Sequence, residues 1–492
     1  MATPCLTKMT RSAGTTSEPV SRNRSGSRSC STLFISSWKT VRSQEVEGVH
    51  WTSPESRSRA LYERARHIFP GANTRQQVWM APYPPYLVSG RGPSVTDADG
   101  NRYLDLTGNL GVLIHGHAHP LITAAIADQI GRGTCFALPT EAELRLGGLL
   151  CGRVPGFERL RFTNTGSEAV AVALRAARAF TGRSRIARLE GVYHGSDDVA
   201  AVSSSSTPAN WGEEPASTAR YPGMPPAILE QVRVLPANDI ATTQRLLAAE
   251  GDSLAAILVD PVPARCGFEP LRGDYLALLR EASRRHGALL IFDEVIAFRL
   301  GFSGAQGRLG IDPDLTALGK IIGGGMPIGA VAGREDVMAV FGNEREAARV
   351  PTSGTFTANP VSMVAGEAAM SLLDMTAFEH LERLGDFVRA GVRGVIGQVG
   401  VPAQVTGVGS LFLLHPHDRP ILDYRSYHRS PAETEVMARL HRHLLEQRVL
   451  LTPAGSGFLA SVMHPEDLEP FLAALPKALE IAFDHPLTRS TT

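Results

Sequence analysis

Lysine is nearly absent from this chain of 492 residues: four lysines, Lys8, Lys39, Lys320 and Lys477, stand against 45 arginines. Arginine does not deprotonate in proteins and forms no Schiff base, whereas lysine does both. A chain that uses arginine wherever a surface cation will serve therefore marks an inner lysine as a candidate for chemistry. Lys477 sits in an amphipathic stretch, LPKALEIAF, and reads as a surface residue. A charge excess is also missing, with 49 basic and 49 acidic residues, which argues against a nucleic-acid binder. Long hydrophobic runs are missing too. The clearest, 255–259 and 288–292, are strand-sized and too short to span a bilayer, so no membrane partner is expected. Five scattered cysteines (Cys5, Cys30, Cys135, Cys151, Cys266) form no CxxC pair and have no histidine at metal spacing. Free thiols in a reducing, cytoplasmic setting are the expectation, with no metal. The chain has no GxSxG hydrolase elbow, no HExxH zinc helix, no GxxxxGK[ST] loop and no GxGxxG after a strand.

What is present divides along the chain. Residues 1–50 are rich in serine and arginine and poor in acids, without apolar periodicity, and are expected to form a disordered extension; a transit peptide shares that composition. A helix is expected over 56–68, closed by Pro70-Gly71. An antiparallel meander follows, through Tyr86-Leu87-Val88, the turn Asp97-Ala98-Asp99-Gly100 and Tyr103-Leu104. From about 120 to 370 helices alternate with short apolar strands at 160–163, 185–189, 232–235, 255–259 and 288–292. The helix-length segment DYLALLREASRRHG joins the last two and ends at Gly287. That rhythm is βαβ: an α/β large domain with a mostly parallel central sheet flanked by helices. Residues 371–492, with helices at 370–399 and 433–447 and a β-like run at 409–414, read as a smaller α+β domain joined by 51–119. Ligands in such sheets sit at the carboxyl ends of strands, so site residues should directly follow the apolar runs.

Four segments do so. Thr163-Asn164-Thr165-Gly166-Ser167-Glu168 ends a strand and opens a helix, where free N–H groups and the helix dipole favour a phosphate; an ordinary N-cap is the alternative. Asp293-Glu294-Val295 follows ALLIF, and a carboxylate there could hold a ring nitrogen protonated or serve as a cap or ion-pair partner. Lys320, in LGKIIGGG, stands between apolar and glycine-rich stretches, where desolvation frees an amine. Gly191-Val192-Tyr193-His194-Gly195 offers an aromatic ring between glycines, either flat against a planar ligand or packed in a loop. The tract His115-Gly116-His117-Ala118-His119 lacks acids at ligand spacing and is read as lining a loop near the site entrance.

Taken together, FTNTGSEA, RLEGVYHG, PDLTALGKIIGGGMPIGA and SGTFTANP resemble the class III (subgroup II) aminotransferases of fold-type I, over about residues 70–470. The nearest likeness is to the glutamate-1-semialdehyde aminomutase and β-amino-acid transaminase branch. The resemblance implies pyridoxal 5'-phosphate (PLP) as cofactor, with Lys320 as its Schiff-base residue and proton carrier. Asp293 would pair with the pyridine nitrogen, Tyr193 would stack on the ring, and Thr165, Gly166 and Ser167 would surround the phosphate. Thr355 would reach the phosphate of the neighbouring subunit, which implies a homodimer with sites at the interface. Two departures bear on substrate. The aminomutases read DEVMTGFR where this chain reads DEVIAFR, and PGGVNSPVR where it reads Pro70-Gly71-Ala72-Asn73-Thr74-Arg75; both resemble β-phenylalanine-type transaminases, in which Arg75 would bind the substrate carboxylate. By contrast, Gly133-Thr134-Cys135-Phe136 and Pro139-Thr140-Glu141 look more like the aminomutases. The expected activity is ping-pong transfer of an amino group from a β-amino acid or related amine to a 2-oxo acid. A 2,1-aminomutase acting within one molecule and a non-catalytic PLP-fold binding protein are the alternatives. A second carboxylate-binding arginine is sought between Arg419 and Arg429.

Overall fold

The computed structural model describes residues 48–342 and 346–483, so the extension expected over 1–50 lies almost entirely outside the described residues. The chain enters through the helix Arg57–Ala65, capped by Ser56, whose side chain accepts from Arg59 N. A meander of β1 (Leu87–Arg91), β2 (Ser94–Asp97) and β3 (Arg102–Asp105) follows. Asp97 Oδ1 closes its turn by accepting from Asp99 N and Asn101 N at 2.9 and 2.8 Å, the self-bonding that suits Asp to turns.

The central sheet holds β4 (Arg159–Thr163), β5 (Arg185–Leu189), β6 (Val232–Leu235), β7 (Leu254–Val259), β8 (Leu289–Asp293), β9 (Leu315–Gly319) and β10 (Gly329–Gly333). Their order is β4-β10-β9-β8-β7-β5-β6. From β9 to β6 every neighbour is parallel, and β10 alone runs against both of its neighbours. Successive side chains of a strand point to opposite faces. Accordingly Ala256 and Leu258 pack in the cluster that contains Val170 and Leu174 of the helix Gly166–Thr181. Ile257 and Val259 join the cluster of Tyr275, Leu276 and Leu279, from the helix Gly273–His286. With both faces covered, β7 reads as an unbroken apolar run, and removing the Leu258 side chain to alanine costs about 2–5 kcal/mol. The Gly273–His286 helix stops where expected: Gly287 is left-handed at φ 62°, and its N–H returns to Arg284 O at 3.3 Å.

β11 (Gln404–Thr406), β12 (Leu411–His415) and β14 (Ser456–Phe458) form a small antiparallel sheet. The two-residue β13 (Val449–Leu450) instead runs parallel to β3, tying the C-terminal part to the meander. The single helix expected over 370–399 is in fact two, Pro360–Ser371 and Met375–Val399, bent by 76°. The break has a local cause. Asp374 accepts from Ala377 N at 2.8 Å and caps the second helix, while buried Arg153 donates to the carbonyls of Met370 and Leu373 at the break. The helix expected over 433–447 is Pro431–Glu446, opened by a capping box between Ser430 and Glu433. Among the described residues no single helix is long and apolar enough to cross a membrane.

Candidate active site

The carboxyl ends of β4, β5, β7, β8 and β9 converge on a cavity of about 420 Å³, and every strand-end segment singled out in the sequence reaches it. At the end of β4, Thr165 caps the helix Gly166–Thr181: its hydroxyl accepts from Glu168 N at 3.1 Å and its carbonyl from Ala169 N at 3.0 Å. The N–H groups of Gly166 and Ser167 are the two that remain from the first turn, and both residues line the cavity. Glycine is required at 166, because a Cβ there would come within 2.8 Å of the Val295 side chain. The turn that opens this helix is thus pressed against the segment that carries Asp293.

Asp293, the last residue of β8, is 6% exposed and accepts from Val295 N at 3.1 Å. His194 Nδ1 lies 2.8 Å from Asp293 Oδ2. A carboxylate can only accept, so the imidazole Nδ1 carries the proton and donates. Burial pushes the His194 pKa below its ordinary value against the pull of Asp293, which keeps the ring neutral. The loop is held from below by Arg188 of β5, fully buried, which donates to Val192 O, Ala200 O and Leu189 O. Tyr193 stands beside His194 on the cavity wall with half of its surface open.

Lys320 follows β9 in the left-handed region at φ 50°, an uncommon place for a residue with a Cβ. Its side chain faces the same cavity. Burial is the main cause that lowers its pKa to about 8; Asp293, and Asp260 whenever it is ionised, pull it up, and Arg299 pushes it further down. An amine in that range has a neutral, nucleophilic fraction near physiological pH.

Residues 76–457 match the class-III aminotransferase family. This chain is a class-III aminotransferase. It is 38% identical over 427 residues to the glutamate-1-semialdehyde 2,1-aminomutase of Methanothermobacter thermautotrophicus, covering 86% of this chain and 99% of that one. It superposes on an omega-transaminase from Sphaerobacter thermophilus with a TM-score of 0.85 and 48% identity, covering 88% and 99% of the two chains. For the β-phenylalanine aminotransferase of Variovorax paradoxus the TM-score is 0.77 and the identity 34%, over 85% and 93%.

The family's cofactor is PLP, and the aminotransferase's own residues fit it. One end of the cavity offers uncommitted N–H groups for a phosphate, another a buried carboxylate backed by a neutral imidazole, and a third a free amine. Gly166 and Ser167 would hold the phosphate, Asp293 would face the ring nitrogen, and Tyr193 would flank the ring.

Sequence reasoning passed over three acids and bases in this aminotransferase. Asp260 follows β7 as Asp293 follows β8, and lines the cavity; the strand-end rule would have found it. His194 was quoted with its motif but given no role. Glu294, fully buried, accepts from Ala305 N, Gln306 N and Gln306 Nε2 at 2.7, 2.9 and 3.0 Å, and burial raises its pKa to about 7.

Two expected residues lie elsewhere. Arg75 lines a second cavity, also of about 420 Å³, which shares Gln77, Asn109 and Leu110 with the first. Thr355 is exposed and does not line the cavity of its own chain. The arginines of 419–429 line neither cavity. Arg419 pairs with Glu433, Arg425 with Glu190 at 2.7 Å, and Arg429 donates to Leu414 O and Ala454 O. Internal partners hold all three in this chain, two of them carboxylates and, for Arg429, carbonyl oxygens alone. Of the histidine tract, His117 lines the second cavity, bonded to Asp105 at 2.7 Å, and His115 is buried between Ser461 Oγ and Ala369 O.

Proposed function

We propose that the enzyme moves the amino group of a β-amino acid, or a related amine, to a 2-oxo acid in two half-reactions at one site. One observation carries this reading. Arg75 Nη2 is held at 2.9 Å by the neutral Asn109 Oδ1, among residues shared by the two cavities, and no carboxylate of the described residues pairs with it. Its charge is left for a ligand, and a guanidinium fork suits a carboxylate. The likeness to a β-phenylalanine aminotransferase and an omega-transaminase supports the donor class.

When bound, PLP supplies the carbonyl that takes up the donor's amine and the ring that draws electrons from the bond being broken. The chain's part is positioning and proton transfer. Lys320 Nζ, with its pKa near 8, takes the proton from the donor carbon and returns it. Asp293 Oδ2, fixed by His194, presents its carboxyl group to the ring side of the cavity.

A homodimer belongs to the same reading. Cys135 Sγ lies 3.4 Å from Thr355 O, so the segments bearing exposed Phe136 and Phe356 adjoin and offer an apolar face for a second copy. Thr355 would then serve the partner's site. Sedimentation of the purified enzyme tests this, a monomer at micromolar concentration being the contrary result.

Intramolecular amino transfer is the second reading, favoured by the 38% identical aminomutase. A spectrum of the holoenzyme before and after β-phenylalanine, with no acceptor present, separates the two. Bleaching of the absorbance at the visible edge, with turnover that requires a 2-oxo acid, supports the transaminase. No bleaching, with turnover of a semialdehyde in the absence of any 2-oxo acid, supports the mutase.

A further inference from the structure

Asp260 and Asp293 end neighbouring parallel strands. β7 and β8 pair Val259 with Phe292, so the two acids occupy the next position of one register. Both are buried, at 7% and 6% exposure, and both line the cavity. Two carboxylates so placed disfavour each other's charge, and the one lysine that faces both, Lys320, is itself pushed toward its neutral form by burial. Asp293 has the donors that stabilise an anion, His194 Nδ1 and Val295 N. Asp260 has one, its neighbour Val262 N at 3.0 Å, and no ion-pair partner among the described residues. The charged and titratable groups around it are Asp293 at the end of β8 with Glu294 after it, Lys320 after β9, Cys266 after β7, and His194 with Arg188 behind Asp293. Burial first and the charge of Asp293 second push the Asp260 carboxyl well above the usual carboxylate range.

We propose that Asp260 stands in the cavity as a neutral acid, a hydrogen-bond donor toward the bound cofactor, leaving Asp293 the single anion of the pair. The inference rests on this cavity being the cofactor site and is independent of the amino donor. A carboxylic acid can donate where a carboxylate only accepts, so Asp260 serves an oxygen or anionic acceptor of the cofactor and adds no second negative charge beside the one that Asp293 directs at the ring nitrogen.

The substitution Asp260→Asn keeps the shape and a donor but removes the proton. Three measurements read the proposal. The first is the difference infrared spectrum, wild type minus Asp260→Asn, of the cofactor-free chain at neutral pH. It should show the carbonyl stretch of a protonated carboxyl; Glu294 cancels because both proteins contain it. The second is the pH profile of Lys320 acylation, followed by peptide mapping. It should be unchanged in Asp260→Asn, because no charge is lost, whereas loss of a nearby carboxylate would drop the midpoint by about 1–3 units. The third is PLP affinity, within about threefold of wild type for Asp260→Asn and at least about tenfold weaker for Asp260→Ala, the worth of one hydrogen bond in a closed site. A carboxylate band in the difference spectrum, or a lowered Lys320 midpoint, overturns the proposal even if the enzyme proves to be a β-amino-acid transaminase.

Discussion

His194 Nδ1 donates to Asp293 Oδ2 across 2.8 Å from a fully buried ring, so the orientation of this cavity carboxylate is set by a neighbour on a different strand-end loop. Hydrogen bonds to charged groups contribute about 1.5–3 kcal/mol. His194→Ala is therefore expected to weaken PLP binding about 10- to 100-fold and to lower the melting temperature of the cofactor-free chain. Titration of that chain with PLP checks this. A melting temperature that falls with unchanged PLP affinity would reduce His194 to a packing role.

Lys320 carries a pH dependence of defined sign. Its pKa is lowered from 10.5 to about 8, chiefly by burial. Between those values the unfolded chain binds more protons than the folded one, so stability gains from this group as pH rises from about 8 to about 10.5, and below about 8 the penalty of the buried charge is fully present. Acylation of Lys320 in the cofactor-free enzyme should rise with a midpoint near pH 8. A Lys320 midpoint above pH 10 would show the cavity to be wetter than its geometry implies.

Arg75 and Asn109 make a testable pair. Arg75→Ala should raise KM for carboxylate-bearing donors about 10- to 100-fold, the loss of a charge-assisted hydrogen bond. It should leave a donor without a carboxylate, such as 1-phenylethylamine, nearly unaffected. Asn109→Ala, which frees the guanidinium held at 2.9 Å, should give a smaller effect of the same kind. Equal losses on both donors would remove Arg75 from substrate recognition.

The strand-end rule made most of this site legible. Apolar runs located β4 to β8, and Thr165, Gly166, Ser167, Tyr193, Asp293 and Lys320 all line one cavity. β9 and β10 escaped notice because LTALG and GAVAG are short runs of small residues, too weakly apolar to announce strands, although every position in them is buried. Asp260 obeyed the same rule but was hidden behind the longer Asp-Glu-Val motif. The bend after Ser371 was legible only in part: its cap, Asp374, is local, but Arg153, which donates to the carbonyls of Met370 and Leu373, is distant in sequence. The arginine partners were illegible for the same reason. In a chain with 45 arginines, which of them are spent on internal carboxylates and carbonyls is a fact of three-dimensional placement.

Arg299, the last residue of DEVIAFR, links the chemistry of β8 to the substrate side. It is 2% exposed and has no carboxylate partner among the described residues; it donates to Ser410 Oγ at 2.8 Å, Gly111 O at 3.1 Å and Leu459 O. Gly111 closes the segment in which Asn109 and Leu110 sit left-handed at φ 53° and 59°. Two consecutive non-glycine residues in that region persist only where surrounding contacts impose them, and Arg299 supplies one. Arg299→Met keeps the apolar bulk but leaves those oxygens without a donor, at an expected loss of about 2–4 kcal/mol in stability, offset in part by relief of the buried charge. Loosening the 108–111 segment should also release Asn109 from Arg75, so KM for carboxylate donors should rise while kcat at saturation stays within about threefold, because Arg299 hydrogen-bonds none of Lys320, Asp293 or Tyr193. Denaturant unfolding and steady-state kinetics on the same preparation check both halves. A collapse of kcat with unchanged KM would place Arg299 on the cofactor side, acting through the field that lowers the pKa of Lys320.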